Sequence, residues 1–561
     1  MSATSQPSSR VTQPTGAQAV VESLLHHGIA AGFGIPSIHN IAIYEVLRRT
    51  PDFHHWVVRH EQAAGFAADG FFRASGRAAA VFASTGPGNL FTLVPLLESL
   101  QTNTPLLLIG TNVATPVLGK TCNALHETPR QLEILAPLTR YAVRISAADE
   151  IPAAMAAAIT ALQGPAPGPA FVEIPHDLLL APVTTNVPVE VERTHAEDPA
   201  TSAMAEALRH IEAAQRPVVL LGSGVSKDAA QSVVRLVETL QPPFITTTSG
   251  KGVIADDHPL SMGCISRLGA VQQLLGESDL LISIGARLTE FDTGRFGLKL
   301  PAAHIKIAED VSYFAGIFPA SFQMATSINA ASLELAGKLK PRKPWWDTAG
   351  MRAREKQQLD ALKADGYAAL ALLRSALSRN DIVAHDQSIL NYWASAFFPV
   401  LEPRTFLYPF GSGTLGYGLP AAIGAACAMR RCGDKRKIVC VAGDGGFQYT
   451  SHELATLAQY DLPVKVLLVN DNKYGVIGFL QRSLFGNEHE VDLKNPDFCR
   501  LAEAYGIPAE RVTDLNGLRD ELPGWLESPG PALLEWRTEL KAPWEVGAIL
   551  RPAMPPMAGP K

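Results

Sequence analysis

Gly443-Asp444-Gly445-Gly446-Phe447 and Asn470-Asp471-Asn472-Lys473-Tyr474-Gly475, with their first aspartates 27 positions apart, decide the fold of this chain. Each stretch closes an apolar, β-rich run: Lys437 to Ala442 before the first, Val464 to Val469 before the second. Two strands ending this way bring Asp444 and Asp471 to one edge of a parallel sheet, as a pair of hard oxygen ligands. Glycines at such an edge let backbone N–H groups approach an anion with no side chain in the way. Mg²⁺ prefers oxygen ligands and usually shares them with phosphate, so a divalent ion between these carboxylates and a diphosphate is the natural occupant.

Working outward, strand-like runs alternate with Ala- and Leu-rich helical stretches along almost the whole chain. That pattern predicts an α/β protein of three consecutive doubly wound parallel-sheet domains. The first, 16–183, contains Trp56-Val57-Val58, Ala78 to Ala83, Pro105 to Ile109 and Pro169 to Ile174. The polar stretch 184–200 reads as a linker to a central domain, 201–337, with Pro217 to Leu221, Phe244 to Thr248, Leu280 to Ile284 and His304 to Ile307. A charged connector, 338–367, is interrupted by Pro341 and Pro344. The third domain, 368–541, runs through Asp381 to Val383, Phe406 to Tyr408, both opening stretches and Pro531 to Trp536. Residues 542–561 are a Pro-rich tail that cannot be helical throughout, and residues 1–15 read as a disordered leader.

Composition narrows the function classes. The 561 residues are 47% hydrophobic and 18% charged, which is the balance of a globular enzyme. A net charge of −6 and the lack of a Lys/Arg run argue against nucleic acid. No apolar run approaches the ~18 residues of a membrane span. The six scattered cysteines, with no CxxC pair, read as thiols of a reducing compartment, and a cytoplasmic location is expected. The tandem His26-His27 before Gly28 reads as a solvated helix end.

The two opening stretches resemble the metal–diphosphate fingerprint of thiamine-diphosphate-dependent enzymes. Arg59-His60-Glu61-Gln62-Ala63-Ala64-Gly65 resembles that family's first-domain glutamate motif, and Thr85-Gly86-Pro87-Gly88-Asn89 resembles its loop beside the cofactor pyrimidine. Gly411 to Ala422 resembles the turn on which the cofactor bends, and Asn495-Pro496-Asp497-Phe498 a stretch of the acetolactate-synthase and 2-oxo-acid-decarboxylase branch. The resemblance spans nearly the whole chain and implies pyrimidine-binding, central and diphosphate-binding domains in that order.

It also implies roles. Thiamine diphosphate adds through a C2 carbanion to a carbonyl and then acts as an electron sink. Glu61 matches the carboxyl that bonds the pyrimidine N1′. Pro36, Gly86 and Asn89 complete the pyrimidine side. Asp386, Gln387 and Ser388 are expected as phosphate contacts, Gly413 as acceptor for the 4′-amino group and Leu415 as the wedge beneath the bent cofactor. Asp444, Asp471 and the Lys473 carbonyl would hold Mg²⁺; the alternative is that Asp471 caps its loop and Asn472 is the ligand. Gly445, Gly446, Tyr474 and Gly475 would line the diphosphate. The family usually has Asn at the position of Asp471; here an aspartate adds a negative charge beside the diphosphate. His126, in Ala124-Leu125-His126-Glu127, stands where the family usually has Gln, and reads either as a proton shuttle or as a residue that shapes the pocket.

The expected reaction is thiamine diphosphate- and Mg²⁺-dependent, non-oxidative decarboxylation of a 2-oxo acid to an aldehyde and CO₂. Gly34 to Asn40 and the Leu-His-Glu segment look most like decarboxylases of 5-guanidino-2-oxopentanoate. The alternatives are an acetolactate-synthase-like carboligase and, more remotely, a catalytically silent homologue. FAD is not expected, because Gly263-Cys264-Ile265-Ser266 replaces the flavin stretch of acetolactate synthases. An NAD-type oxidoreductase lacks its GxGxxG. The resemblance implies a homodimer or homotetramer with sites between chains.

Overall fold

A computed structural model describes residues 13–185, 187–191 and 195–550. Three six-stranded sheets, parallel at every pairing, carry helices on their faces. The first contains β1 (Ala31–Gly34), β2 (His54–Val57), β3 (Ala80–Ala83), β4 (Leu106–Asn112), β5 (Tyr141–Arg144) and β6 (Pro169–Pro175), in the order β2-β1-β3-β4-β6-β5. The central sheet contains β7 (Pro217–Leu221), β8 (Phe244–Thr246), β9 (Ser261–Cys264), β10 (Leu280–Ile284), β11 (Ala303–Ala308) and β12 (Phe322–Ala325), in the order β12-β11-β10-β7-β8-β9. The third contains β13 (Ile382–His385), β14 (Phe406–Leu407), β15 (Ile438–Gly443), β16 (Val464–Asn470), β17 (Ala509–Val512) and β18 (Ala532–Arg537), in the order β14-β13-β15-β16-β18-β17.

The first and third sheets therefore share one winding, and each reverses direction between its first and third strands. Ligands of such sheets bind beyond the carboxyl ends of the strands at that reversal. In the third sheet the reversal lies between β13, which leads into Asp386, and β15, which leads into Asp444. The central sheet reverses between β7 and β10, but there its own backbone fills the crevice. Gly222 N–H donates to the Ile284 carbonyl at 3.0 Å and Gly224 N–H to the Gly285 carbonyl at 2.9 Å.

Five strands lie outside the sequence expectation: β1, β5, β9, β12 and β17. Four of them are short strands at or beside a sheet edge. The fifth, β1, is Ala-Gly-Phe-Gly and sits between β2 and β3. Its glycines are steric: a Cβ on Gly32 would stand 2.8 Å from the Phe82 ring, and one on Gly34 would collide with the Phe82 carbonyl. Glycine ordinarily argues against a strand, which is why the sequence hides this one.

One compact unit carries the first sheet; a second carries the central and third sheets and takes in residues 69–76 and 164–166. In the second unit, a buried Lys251–Asp256 pair at 3.0 Å anchors the loop after β8. The same Asp256 carboxylate accepts from Val400 N–H at 2.9 Å, tying the central sheet to the third. The charged connector contains a helix, Thr348–Ala361, whose Glu355 pairs with Arg267 at 2.9 Å. Beyond β18 the chain packs down instead of leaving: Leu540, Ala542, Trp544, Ala548 and Ile549 join the third-sheet core, and Trp393 donates its indole N–H to the Lys541 carbonyl at 2.8 Å. Residues 551–561 of the tail and 1–12 of the leader lie outside the described residues; Thr15 caps the first helix, Gly16–His26. His26 ends that helix and bonds Glu190 at 3.1 Å. All six cysteines are free thiols. Among the described residues no helix is long and apolar enough to cross a membrane.

Candidate active site

At the carboxyl edge of the third sheet, β15 and β16 run in register with Gly443 opposite Val469, so Asp444 and Asp471 emerge side by side. Their carboxyl groups are close enough to share a hydrogen bond. Burial, then the Asp444 charge, pushes the Asp471 carboxyl up to about 7; burial likewise raises Asp444. Two such carboxyls crowd one proton between them, and a divalent cation relieves that repulsion, so the donor set fits Mg²⁺. Asp471 also closes its own loop, accepting from Lys473 N–H at 3.1 Å, while Asn472 takes the left-handed conformation at φ +56°. Asn495 donates to Asp444 at 2.6 Å and steadies it. The Lys473 ammonium is turned to Glu488 and Asp492, at 3.4 and 3.6 Å.

The glycines of this edge are tight on every side. A Cβ on Gly443 would stand 2.9 Å from Ser388, one on Gly445 2.7 Å from the Tyr474 ring, and one on Gly446 would collide with Asp386. At these glycines only backbone is presented to a cavity of about 280 Å³. Gln387, Ser388, Gly413, Leu415, Tyr474 and Gly475 line the same cavity with Asp444, Gly445, Gly446, Asp471 and Lys473. Those predicted residues are thus brought together.

Asp386 is placed differently from the expectation of a phosphate contact. It is 1% exposed and absent from the cavity wall, and a carboxylate has no proton to give a phosphate. Instead it accepts from Gly416 N–H at 3.1 Å, Gly418 N–H at 2.8 Å and its neighbour Gln387 N–H at 2.8 Å. Burial raises its pKa to about 6 against the lowering effect of those donors. Its work is to hold the Gly413–Gly418 turn, on which Leu415 is presented. Ser388 is also partly engaged: its hydroxyl caps the helix Ile389–Phe397 by accepting from Asn391 N–H at 3.3 Å.

Sequence reasoning missed the apolar wall of the cavity. Ile389, Tyr392, Val469, Val476, Ile477, Thr538 and Leu540 line it. Thr538 and Leu540 follow the end of β18, so the strand-end rule could have found them. Trp544 of the tail packs edge to face on Tyr392 at 4.7 Å and braces this wall. Asp497, in the Asn-Pro-Asp-Phe stretch, pairs with Arg511 at 2.6 Å and caps the helix Phe498–Ala504.

The predicted pyrimidine-side residues lie at the carboxyl edge of the first sheet. Glu61 opens the helix Glu61–Ser75 after β2, with Ala63, Ala64 and Phe66 buried behind it. Its Oε1 overhangs Gly88, 3.2 Å from where a Cβ would stand. Gly86 has φ +61° and fits against the His126 carbonyl, where any Cβ would collide, while its N–H donates to Gln131 at 2.7 Å. Pro36 is exposed in a turn closed by Asn40, which accepts from Ser37 N–H at 2.7 Å. Asn89 is fully buried and donates to the Thr111 carbonyl at 2.9 Å, so it holds the loop to β4 rather than offering an exposed amide. His126 is exposed, with φ +64°.

The comparisons with known proteins show the family. Residues 14–134, 204–334 and 386–536 match the patterns described as "Thiamine pyrophosphate enzyme, N-terminal TPP binding domain", its "central domain" and its "C-terminal TPP binding domain". The chain belongs to the thiamine pyrophosphate (thiamine diphosphate) enzymes. It is 31% identical over 536 residues to the "Probable 2-ketoarginine decarboxylase AruI" of Pseudomonas aeruginosa, covering 93% of this chain and 94% of that one. It is 30% identical over 546 residues to the acetolactate synthase isozyme 1 large subunit of Escherichia coli, covering 94% of each. A Rhodococcus jostii thiamine diphosphate-dependent 4-hydroxybenzoylformate decarboxylase shares the fold, with a TM-score of 0.81 at 23% identity over 94% of this chain and 99% of that one. The protein is accordingly an enzyme of the thiamine diphosphate group that includes decarboxylases and acetolactate synthases.

Proposed function

We propose that this enzyme decarboxylates a 2-oxo acid to an aldehyde and CO₂, using thiamine diphosphate and Mg²⁺, with 5-guanidino-2-oxopentanoate the first substrate to try. The convergence of Asp444, Asp471 and the Gly443–Gly446 backbone on one cavity carries the cofactor part of this reading. When bound, the cofactor supplies the nucleophilic carbon and the electron sink. Asp444, Asp471 and the Lys473 carbonyl hold the metal, and Gly445 and Gly446 receive the diphosphate. Leu415 would pack beneath the bound cofactor, and the Gly413 carbonyl would accept from its amino group. Glu61 bonds the pyrimidine nitrogen and sets its tautomer, while His126 exchanges a proton with the reacting substrate. Each site is completed by a second copy of the chain, in a homodimer or homotetramer.

The match to acetolactate synthases favours one further reading, a carboligase that joins the decarboxylated fragment to a second carbonyl. Against a flavin-bearing enzyme of that kind stands Gly263-Cys264-Ile265-Ser266 in place of the flavin stretch. The tail packs beside it, with Leu550 N–H donating to the Ser266 carbonyl at 2.9 Å and Leu268 N–H to the Ala548 carbonyl at 3.1 Å.

The test is CO₂ release from pyruvate, benzoylformate and 5-guanidino-2-oxopentanoate, with thiamine diphosphate and Mg²⁺ added singly and together. Release that requires both supports the reading. No release from any 2-oxo acid with both present would overturn it.

A further inference from the structure

Three histidines from three strand ends meet at the carboxyl edge of the first sheet. His39 lies in the turn after β1, His126 in the loop after β4 and His176 directly behind β6. The His39 and His176 rings stack with centroids 4.7 Å apart and planes 6° apart. His126 meets His39 edge to face, at 5.5 Å and 79°. His39 is 8% exposed, and its Nδ1 has no hydrogen-bond partner. The adjacent Asn40 locks the turn, donating to the Ile35 carbonyl at 3.0 Å, so the His39 ring stands on a fixed backbone.

The main chain of His126 is fixed. Its backbone is left-handed, its carbonyl packs closely against Gly86, and Thr128 donates to the same carbonyl at 3.4 Å. Those contacts leave the direction of the ring to His39. An imidazole that exchanges a proton must be within hydrogen-bond reach and aligned, so its direction matters as much as its presence.

Two carboxylates beside the histidines are held by their own loops. Asp177 accepts from Thr115 N–H at 3.0 Å and from its hydroxyl at 2.5 Å, and Glu127 folds back onto Ala124 N–H at 3.0 Å. Burial first, and then the neighbouring His176 and His126, lowers the His39 pKa, which disfavours a charge on that ring. A neutral ring offers an electron-rich face to the edge of its partner.

We propose that His39, backed by His176, is a positioning residue that fixes the direction of the His126 ring for proton exchange with bound substrate. The catalytic part rests on the decarboxylase reading above; the ring geometry does not. The stack is tested in cofactor-free protein through the ring-proton NMR shifts of His126, assigned by their loss in His126→Ala. His39→Ala should move them to free-imidazole values, and His39→Phe, which keeps an aromatic face, should not. In the loaded enzyme, His39→Ala should lower kcat roughly tenfold with KM within about twofold, and His39→Phe should recover most of it. In the His126→Ala background, His39→Ala should have no further effect, because one residue acts through the other. Unchanged His126 shifts in His39→Ala would overturn the stack. Multiplying losses in the double variant would overturn the positioning role. No turnover of any 2-oxo acid by the wild type would overturn the catalytic part together with the decarboxylase reading, whatever the shifts show.

Discussion

Asp444 and Asp471 leave adjacent parallel strands within one residue of the same level and turn their carboxyl groups toward each other, and burial together with the Asp444 charge pushes the Asp471 carboxyl up to about 7. A cation entering between them must displace the Asp471 proton. Mg²⁺ affinity, measured by calorimetry with thiamine diphosphate present, is therefore expected to weaken as pH falls below 7, by up to about tenfold per unit. Asp471→Asn removes the shared proton and should flatten this dependence between pH 6 and 8 while still binding Mg²⁺. Asp444→Ala should abolish Mg²⁺-dependent cofactor binding.

Glu61 overhangs Gly88 from the first turn of its helix, with a buried apolar layer behind it. Glu61→Gln keeps shape and removes the carboxyl. Turnover should fall by about 10²–10⁴, the usual range for losing a positioned proton-transfer group, while cofactor affinity changes only a few-fold. Steady-state kinetics alongside cofactor titration check both halves. Wild-type turnover in this variant would remove Glu61 from the mechanism.

Asp386 separates a scaffold role from a ligand role. Its carboxylate gathers the N–H groups of Gly416, Gly418 and Gln387, so Asp386→Ala leaves buried donors unpaired, at about 1–3 kcal/mol for each that finds no water. A lower melting temperature is expected together with weaker cofactor binding. Asp386→Asn, which still accepts through its amide oxygen, should recover part of both. Lost affinity with an unchanged melting temperature would mean direct contact with the cofactor.

What the sequence reveals and what it conceals follow from where the determining contacts lie. β15 and β16 were legible because each apolar run ends abruptly on a short polar stretch that carries an aspartate, Gly443-Asp444-Gly445 and Asn470-Asp471-Asn472. β1 was not, since its glycines answer to Phe82 and Phe53, which stand some 20 to 50 residues away. Asp386 reads as a ligand in Asp-Gln-Ser, yet its partners arrive from a turn 30 residues later. Tyr392 and Leu540 join one wall only after folding. His39 and His176 look like isolated histidines until three strand ends gather them.

His385 gives an acid-stability prediction. It is fully buried between Phe398 and Phe406, with neither ring nitrogen partnered, and burial lowers its pKa to about 3. An unfolded histidine takes its proton near pH 6.5, so the folded state binds fewer protons below that value. Stability from this position is complete above pH 6.5 and is lost as pH falls from 6.5 toward 3, by about 1.4 kcal/mol per unit. His385→Phe should therefore reduce the pH slope of unfolding by one proton between pH 6 and 4, as read by denaturant titration. An unchanged slope would contradict the burial of a neutral ring.

The central claim is a decarboxylase that releases its product without joining it to a second molecule. The direct measurement is the ratio of aldehyde to CO₂ from the best 2-oxo acid, with thiamine diphosphate and Mg²⁺ present and acetohydroxy acids quantified in the same sample. One aldehyde for each CO₂, with no acetohydroxy acid, is the predicted result. An acetohydroxy acid as the main product would contradict it and make the enzyme a carboligase.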